Sequence, residues 1–323
     1  MNVIVVGLGS MGRRRIRLMK QYDPSLRIFG VDTNIDRSLS VSKEYDIQVF
    51  PNIADVCDKY KIDAGFVCTS PLAHKAVIEE LVRRGINVFT EINLVSDGYD
   101  DFIKETKVKL FLSSTFLYRK DIRWIIEKVK SNKVNYQYHT GQFLPDWHPW
   151  ESYKNFFVND KKTNGCREIL TIEMPWLVKC FGKIKTIYIL KDNISDLGLD
   201  YPDNYLLQIE HESGNKGQVL IDVVTRIATR RIEIFNSNIN IVWSGTPASL
   251  LSYNLETKER EAVKTYDSIE KDNRYCENII ENAYMDEIDA FFTMLRGNDS
   301  KVLYSFSMDK EILSVIDKIE GQL

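Results

Sequence analysis

Met1-Asn2-Val3-Ile4-Val5-Val6-Gly7-Leu8-Gly9-Ser10-Met11-Gly12 decides the fold. The apolar run Val3–Val6 reads as a buried strand that starts almost at residue 1. A Gly-x-Gly-x-x-Gly follows at once and opens a helical stretch, Met11–Tyr22, carrying Ile16 and Met19. Gly7 permits a tight turn, Gly9 lets the backbone approach a pyrophosphate, and Gly12 lets helix and strand pack closely. Ser10 and Met11 begin the helix, where backbone amides and the helix dipole attract an anion. A second apolar run, Ile28–Val31, ends at Asp32, 20 residues beyond Gly12. That is the spacing of a carboxylate that holds a dinucleotide ribose. An acid there repels a 2′-phosphate, so NAD is expected over NADP. Arg13-Arg14-Arg15 pull the other way, but their helix positions aim them at the pyrophosphate side or at solvent.

Outward from this stretch the same rhythm continues. Short apolar runs at Ala64–Cys68, Val88–Thr90 and Leu110–Ser113 alternate with helical candidates at Arg37–Tyr45, Ile53–Tyr60 and Ala73–Arg84. Such alternation predicts an α/β fold, a doubly wound parallel sheet with helices on both faces. Past residue 115 the pattern changes. Helices are expected at Asp121–Lys130 and Glu168–Phe181. Strand-like runs follow at Val134–Phe143, Ile184–Leu190, Tyr205–His211, Gly217–Val224, Arg231–Phe235 and Ile239–Trp243, and two helices lie near Asn278–Arg296 and Ser305–Glu320. Partial period-two alternation implies an α+β domain with an open, mostly antiparallel sheet. The expected division is residues 1–116 and 117–323.

Composition bounds the partners. The 323 residues hold 43 Lys plus Arg against 46 Asp plus Glu, a net charge of −3. No basic excess of the kind nucleic acid demands is present. The longest apolar runs fall short of a membrane span, and the N-terminus lacks a basic leader, so a cytoplasmic protein is expected. Its 5 cysteines are odd in number and widely spaced, with no CxxC pair, which supports neither a disulfide framework nor a zinc site.

Gly7–Gly12 with Asp32, Cys68-Thr69-Ser70-Pro71-Leu72-Ala73-His74, Glu91 and Leu117-Tyr118-Arg119 together resemble the glucose–fructose oxidoreductase, inositol dehydrogenase and rhizopine-catabolism (Gfo/Idh/MocA) oxidoreductases. The likeness is strong over 1–120 and weaker beyond. It implies that Thr69, Ser70 and Pro71 line the nicotinamide ribose, with His74 and Glu91 at the same edge. It also implies a sugar or polyol substrate. In the family the second sheet is buried between subunits, so a homodimer or homotetramer is expected.

The departures bear on chemistry. Members carry Glu-Lys-Pro where this chain reads Glu91-Ile92-Asn93, and isoleucine has no titratable proton. With Gly165 aligned to the family's Gly-rich turn, Ile169 and Glu173 replace its Asp and His. Two readings stay open. Either Glu173 or Glu168 serves as base, with His148 or His74 assisting, or the protein binds dinucleotide and sugar without turnover, as the galactose-pathway repressor of yeasts does within this family. Trp147, His148 and Trp150 lie in an unusual Pro-Asp-Trp-His-Pro-Trp stretch, whose aromatic faces suit sugar rings. Arg119 and Arg167 are candidates for a substrate carboxylate or phosphate, with Glu168 nearby. The Pro-Asp-Trp-His-Pro-Trp and Gly-Cys-Arg-Glu stretches resemble a branch tied to bacterial surface-sugar synthesis.

Overall fold

The computed structural model describes residues 1–104, 107–147, 152–272 and 279–321. They divide into two compact units, Met1–Thr115 with Tyr284–Leu313 and Phe116–Ala283 with Ser314–Leu323. The single cut expected near residue 116 therefore needs correction, because Tyr284–Leu313 return to the first unit. The reason is packing. Phe291 meets Phe66, Phe89 and Phe111 edge-on, at ring-centroid distances of 5.3, 5.6 and 5.9 Å, and so covers apolar surface of the parallel sheet.

The first unit runs β1 (Asn2–Val6), α1 (Ser10–Tyr22), β2 (Arg27–Val31), α2 (Ile35–Tyr45), β3 (Gln48–Phe50), α3 (Ile53–Cys57), β4 (Ala64–Val67), α4 (His74–Arg83), β5 (Asn87–Thr90), α5 (Tyr99–Phe102) and β6 (Leu110–Leu112). All six strands pair in parallel in the order β3-β2-β1-β4-β5-β6. The central strands are apolar on both faces because helices cover both. Chain order reverses between β1 and β4, which makes their carboxyl ends the place where open α/β sheets bind ligands. Register fixes what stands there. Val6 pairs with Val31 and with Val67, and Val67 with Thr90. Asp32, Gly7, Cys68 and Glu91 therefore follow neighbouring strands along one edge.

In the second unit, α6 (Thr115–Tyr118) lies at the boundary and leads to α7 (Lys120–Val129), β7 (Asn135–Gly141) and α8 (Gly165–Phe181). Then come β8 (Ile184–Asp192), β9 (Asn204–His211), β10 (Lys216–Asp222), β11 (Thr229–Phe235), β12 (Asn240–Trp243), β13 (Leu251–Tyr253) and β14 (Arg260–Ala262). The sheet order is β14-β13-β12-β11-β7-β10-β9-β8, with β7 and β10 parallel and every other pair antiparallel. Helix α8 covers one face: Tyr136 of β7 stacks on Phe181 at 3.9 Å, and Tyr138 meets Trp176 edge-on. On other strands the sheet leaves Tyr188, Leu190 and Leu206 at least half exposed. Leu190 pairs with Leu206, and Leu206 with Leu220, so these leucines form a row across β8, β9 and β10. The chain closes with α9 (Glu281–Leu295) and α10 (Phe306–Glu320). No helix among the described residues is long and apolar enough to cross a membrane.

Candidate active site

The glycine loop behaves as its spacing predicts. Gly7 has φ +90°, and a Cβ there would lie 2.6 Å from the Cys68 carbonyl oxygen. One on Gly12 would lie 2.0 Å from the Gly7 oxygen, so close packing of α1 on β1 forbids any side chain. Gly9 differs: among the described residues nothing stands within 4 Å of a Cβ built on it. It is the N-cap of α1 and no side chain caps that helix. First-turn amides beside open space, Ser10 and Met11 among them, suit a pyrophosphate.

Asp32 follows β2 and is buried. Its Oδ2 accepts from Leu8 N at 2.8 Å and its Oδ1 from Asn34 N at 2.9 Å, so the carboxylate braces the loop. Arg37 pairs with it at 3.1 Å. Oδ2 is thus taken by Leu8 and Arg37, while Oδ1, only 3.5 Å from Arg37, retains acceptor capacity for a ribose hydroxyl. After β4, Ser70 caps the single turn Pro71–Ala73, and the Thr69 hydroxyl is buried without a hydrogen bond among the described residues. A buried hydroxyl of this kind fits a ligand that supplies the missing partner. His74 donates from Nε2 to the Thr69 carbonyl at 2.9 Å, and its Nδ1 bonds Asn93.

Glu91 has a structural partner that the sequence did not show. Its carboxylate is held by the fully buried Arg15, with Arg15 Nε to Oε1 at 2.6 Å, so it braces the fold at this edge. The arginine run is also not aimed as expected. Arg15 is ion-paired to Glu91 and Glu287, Arg14 is buried over the Tyr284 ring, and only Arg13 faces solvent, paired with Glu44.

In the second unit, two expected substrate ligands prove to be braces. Arg119 grips Asp121 through Nε at 3.0 Å and Nη2 at 2.6 Å, and also the Gly245 carbonyl. Arg167 pairs with Asp317 at 2.7 Å and with Glu320. Both are buried, and their donors meet the chain's own acceptors. Trp147 is half-buried, donates from its indole to the Gln142 carbonyl at 3.1 Å, and presents its ring near Gly165. His148 and Trp150 lie outside the described residues.

The two glutamates of α8 differ sharply. Glu173 is fully buried and fully committed: its Oε1 accepts from Arg230 Nε at 2.8 Å, while its Oε2 accepts from the Tyr138 hydroxyl at 2.6 Å and from Trp176 Nε1 at 2.7 Å. A carboxylate so held is poorly placed to exchange a proton, which corrects the expectation that Glu173 is the base. Glu168 stands in the first turn, with its Oε2 shielded from water and without a partner among the described residues. Burial pushes its carboxyl up to about 7.

Sequence reading missed Asn93, Tyr99 and Asp309 beside His74, and Tyr138 and Arg230 beside Glu173. Only Asn93, at the family's proline position, gave a signal.

Residues 1–95 match the family model described as the oxidoreductase family with an NAD-binding Rossmann fold. A comparison with curated protein sequences finds no match. Among solved structures, levoglucosan dehydrogenase with NADH is similar at 14% identity and TM-score 0.79, covering 100% of this chain and 96% of that one. UDP-N-acetylglucosamine 3-dehydrogenase from Acidithiobacillus ferrooxidans is similar at 15% identity and TM-score 0.76, covering 100% and 97%. An Agrobacterium radiobacter oxidoreductase, in complex with NAD+, L-tartaric acid and magnesium, is similar at 11% identity and TM-score 0.78, covering 99% and 96%. At these identities the likeness to solved structures shows the fold alone. Glycine loop, strand order and family model agree on an NAD-binding Rossmann fold: residues 1–95 are similar to the NAD-binding part of the Gfo/Idh/MocA oxidoreductases.

Proposed function

We propose that the protein is an NAD-dependent dehydrogenase acting on a hydroxyl of a sugar, sugar nucleotide or polyol, with a role in surface-polysaccharide sugar synthesis. The observation that carries the reading is the Gly7–Gly12 loop, with its clear space over Gly9 and Asp32 held beside it. Solved relatives in fold include enzymes named for levoglucosan and UDP-N-acetylglucosamine, which favours a carbohydrate substrate.

NAD, when bound, supplies the hydride-accepting nicotinamide. The chain's residues do the rest. The amides after Gly9 hold the pyrophosphate, Asp32 the ribose hydroxyls, and the Thr69–Pro71 turn the nicotinamide side. Ile92 carries no proton, so the base must come from another residue, and Glu168, whose Oε2 has no hydrogen-bond partner among the described residues, is the one this reading takes.

The test is reduction of NAD, followed by absorbance, over a panel of sugars, polyols and UDP-sugars, with Gly9→Val as the non-binding control. Turnover with at least one substrate, and weaker binding of NADP than of NAD, are expected. Tight NAD binding with no turnover across the panel favours the non-catalytic sensor instead. By analogy with the family, the row Leu190, Leu206 and Leu220 is covered by a second copy of the chain. Sedimentation at micromolar concentration is expected to give a dimer or tetramer, and a monomer counts against this pairing.

A further inference from the structure

We infer that Asn93, acting through His74, is a positioning residue that sets the Thr69–Pro71 turn for the nicotinamide half of the cofactor. The inference rests on the reading of that turn as cofactor-binding, and every residue in it belongs to the first unit.

The observation is an unbroken chain of buried hydrogen bonds. The Thr69 carbonyl accepts from His74 Nε2 at 2.9 Å. His74 Nδ1 bonds the Asn93 side chain. Asn93 Nδ2 donates to the Tyr99 hydroxyl at 2.9 Å, and that hydroxyl donates to Asp309 Oδ2. Tyr304 donates to Asp309 Oδ1 at 2.7 Å. His74, Asn93, Tyr99, Tyr304 and Asp309 are all buried. The chain thus ties the turn after β4, through the segment after β5, to α5 and the start of α10.

Proton counting shows why asparagine suits this place. A carbonyl only accepts, so His74 Nε2 always carries a proton. An amide carries a donor and an acceptor side by side, so Asn93 can bond His74 with one and Tyr99 with the other. Burial pushes the His74 imidazolium below its ordinary range. A proline at 93, as in the resembled Glu-Lys-Pro motif, has no side-chain donor or acceptor and would end the chain. The buried Thr69 hydroxyl, without a partner among the described residues, leaves one hydrogen bond of this turn for a ligand to supply.

Calorimetry with two probes, NAD and ADP, tests the inference, since ADP lacks the nicotinamide half. Asn93→Leu should weaken NAD about tenfold, the scale of one hydrogen bond, and leave ADP within about twofold. Asn93→Asp keeps an oxygen acceptor toward His74 and should bind NAD within about threefold of the parent. Tyr99→Phe removes one hydroxyl, keeps the ring and should weaken NAD by about threefold or more; it decides the matter if Asn93→Leu does not fold. NAD affinity unchanged in both Asn93→Leu and Tyr99→Phe overturns the inference, as does an equal loss for NAD and ADP. Binding of neither probe by the unaltered protein overturns the cofactor reading and this inference with it.

Discussion

Arg15→Met is expected to lower the thermal unfolding midpoint of the first unit by about 6–20 °C. Removing one partner of a buried ion pair costs about 3–5 kcal/mol, and a unit of this size loses about 2–4 °C per kcal/mol. Arg15 is fully buried on α1, between Glu91 at 2.6 Å and Glu287 at 2.8 Å, with its guanidinium 4.5 Å from the Phe89 ring centroid. Methionine fills similar volume, so the loss measures the two stranded carboxylates and not a cavity. Glu287 also accepts from the Ser113 hydroxyl and the Ser114 amide, each at 2.8 Å, which leaves it partly served and sets the lower bound. Scanning calorimetry that shows a shift under about 2 °C would mean the triad stabilises little.

Glu168→Gln should reduce kcat by about 10²–10⁴-fold with NAD affinity unchanged, since the amide keeps the shape and cannot take a proton. The parent's oxidation rate should rise with pH through about 7, as the carboxyl ionises, and the variant should lose that rise. Stability should move the opposite way. A carboxyl raised in the folded state, from an ordinary 4.5 to about 7, binds its proton more tightly folded than unfolded. Its contribution is fully present below pH 4.5 and is lost as pH climbs through 7. The glutamine variant, which mimics the protonated form, should therefore be more stable than the parent above pH 7, by up to about 3 kcal/mol. Glu173→Gln is the contrast: kcat near the parent's and a lower midpoint, because Arg230 loses its charge partner. If Glu168→Gln turns over within about threefold of the parent, the proton goes elsewhere.

The parallel sheet was legible because its signals are local. A Gly-x-Gly-x-x-Gly after an apolar strand allows few conformations, and short buried strands announce themselves by composition alone. Gln48–Phe50 escaped notice as a three-residue edge strand, too short for a period. Leu251–Tyr253 and Arg260–Ala262 escaped for the same reason. The second unit's longer strands and α8 were visible through alternation and a buried face, even with Pro175 inside the helix. Charged side chains were the hard part. Whether Arg15, Arg119, Arg167 and Glu173 meet a ligand or each other depends on partners that folding alone brings near. Arg230, 57 residues along the chain from Glu173, carries no mark of that pairing in the sequence. Glu168 and Glu173 share one helix and one residue type, and only their neighbours tell them apart.

Tyr284–Leu313 complete a unit that residues 1–115 begin, and this sets a timetable for synthesis. Arg15 and Glu287 are 272 residues apart. At roughly 5–20 residues per second the ribosome needs about 14–54 s to cover that distance. Meanwhile the Rossmann half waits with Phe66, Phe89 and Phe111 lacking the Phe291 cover, and with a buried cation short of one counter-charge. Those rings and that cation stay uncovered until α9 emerges, and the second unit waits longer still, since Arg167 meets Asp317 and Glu320 only once α10 is made.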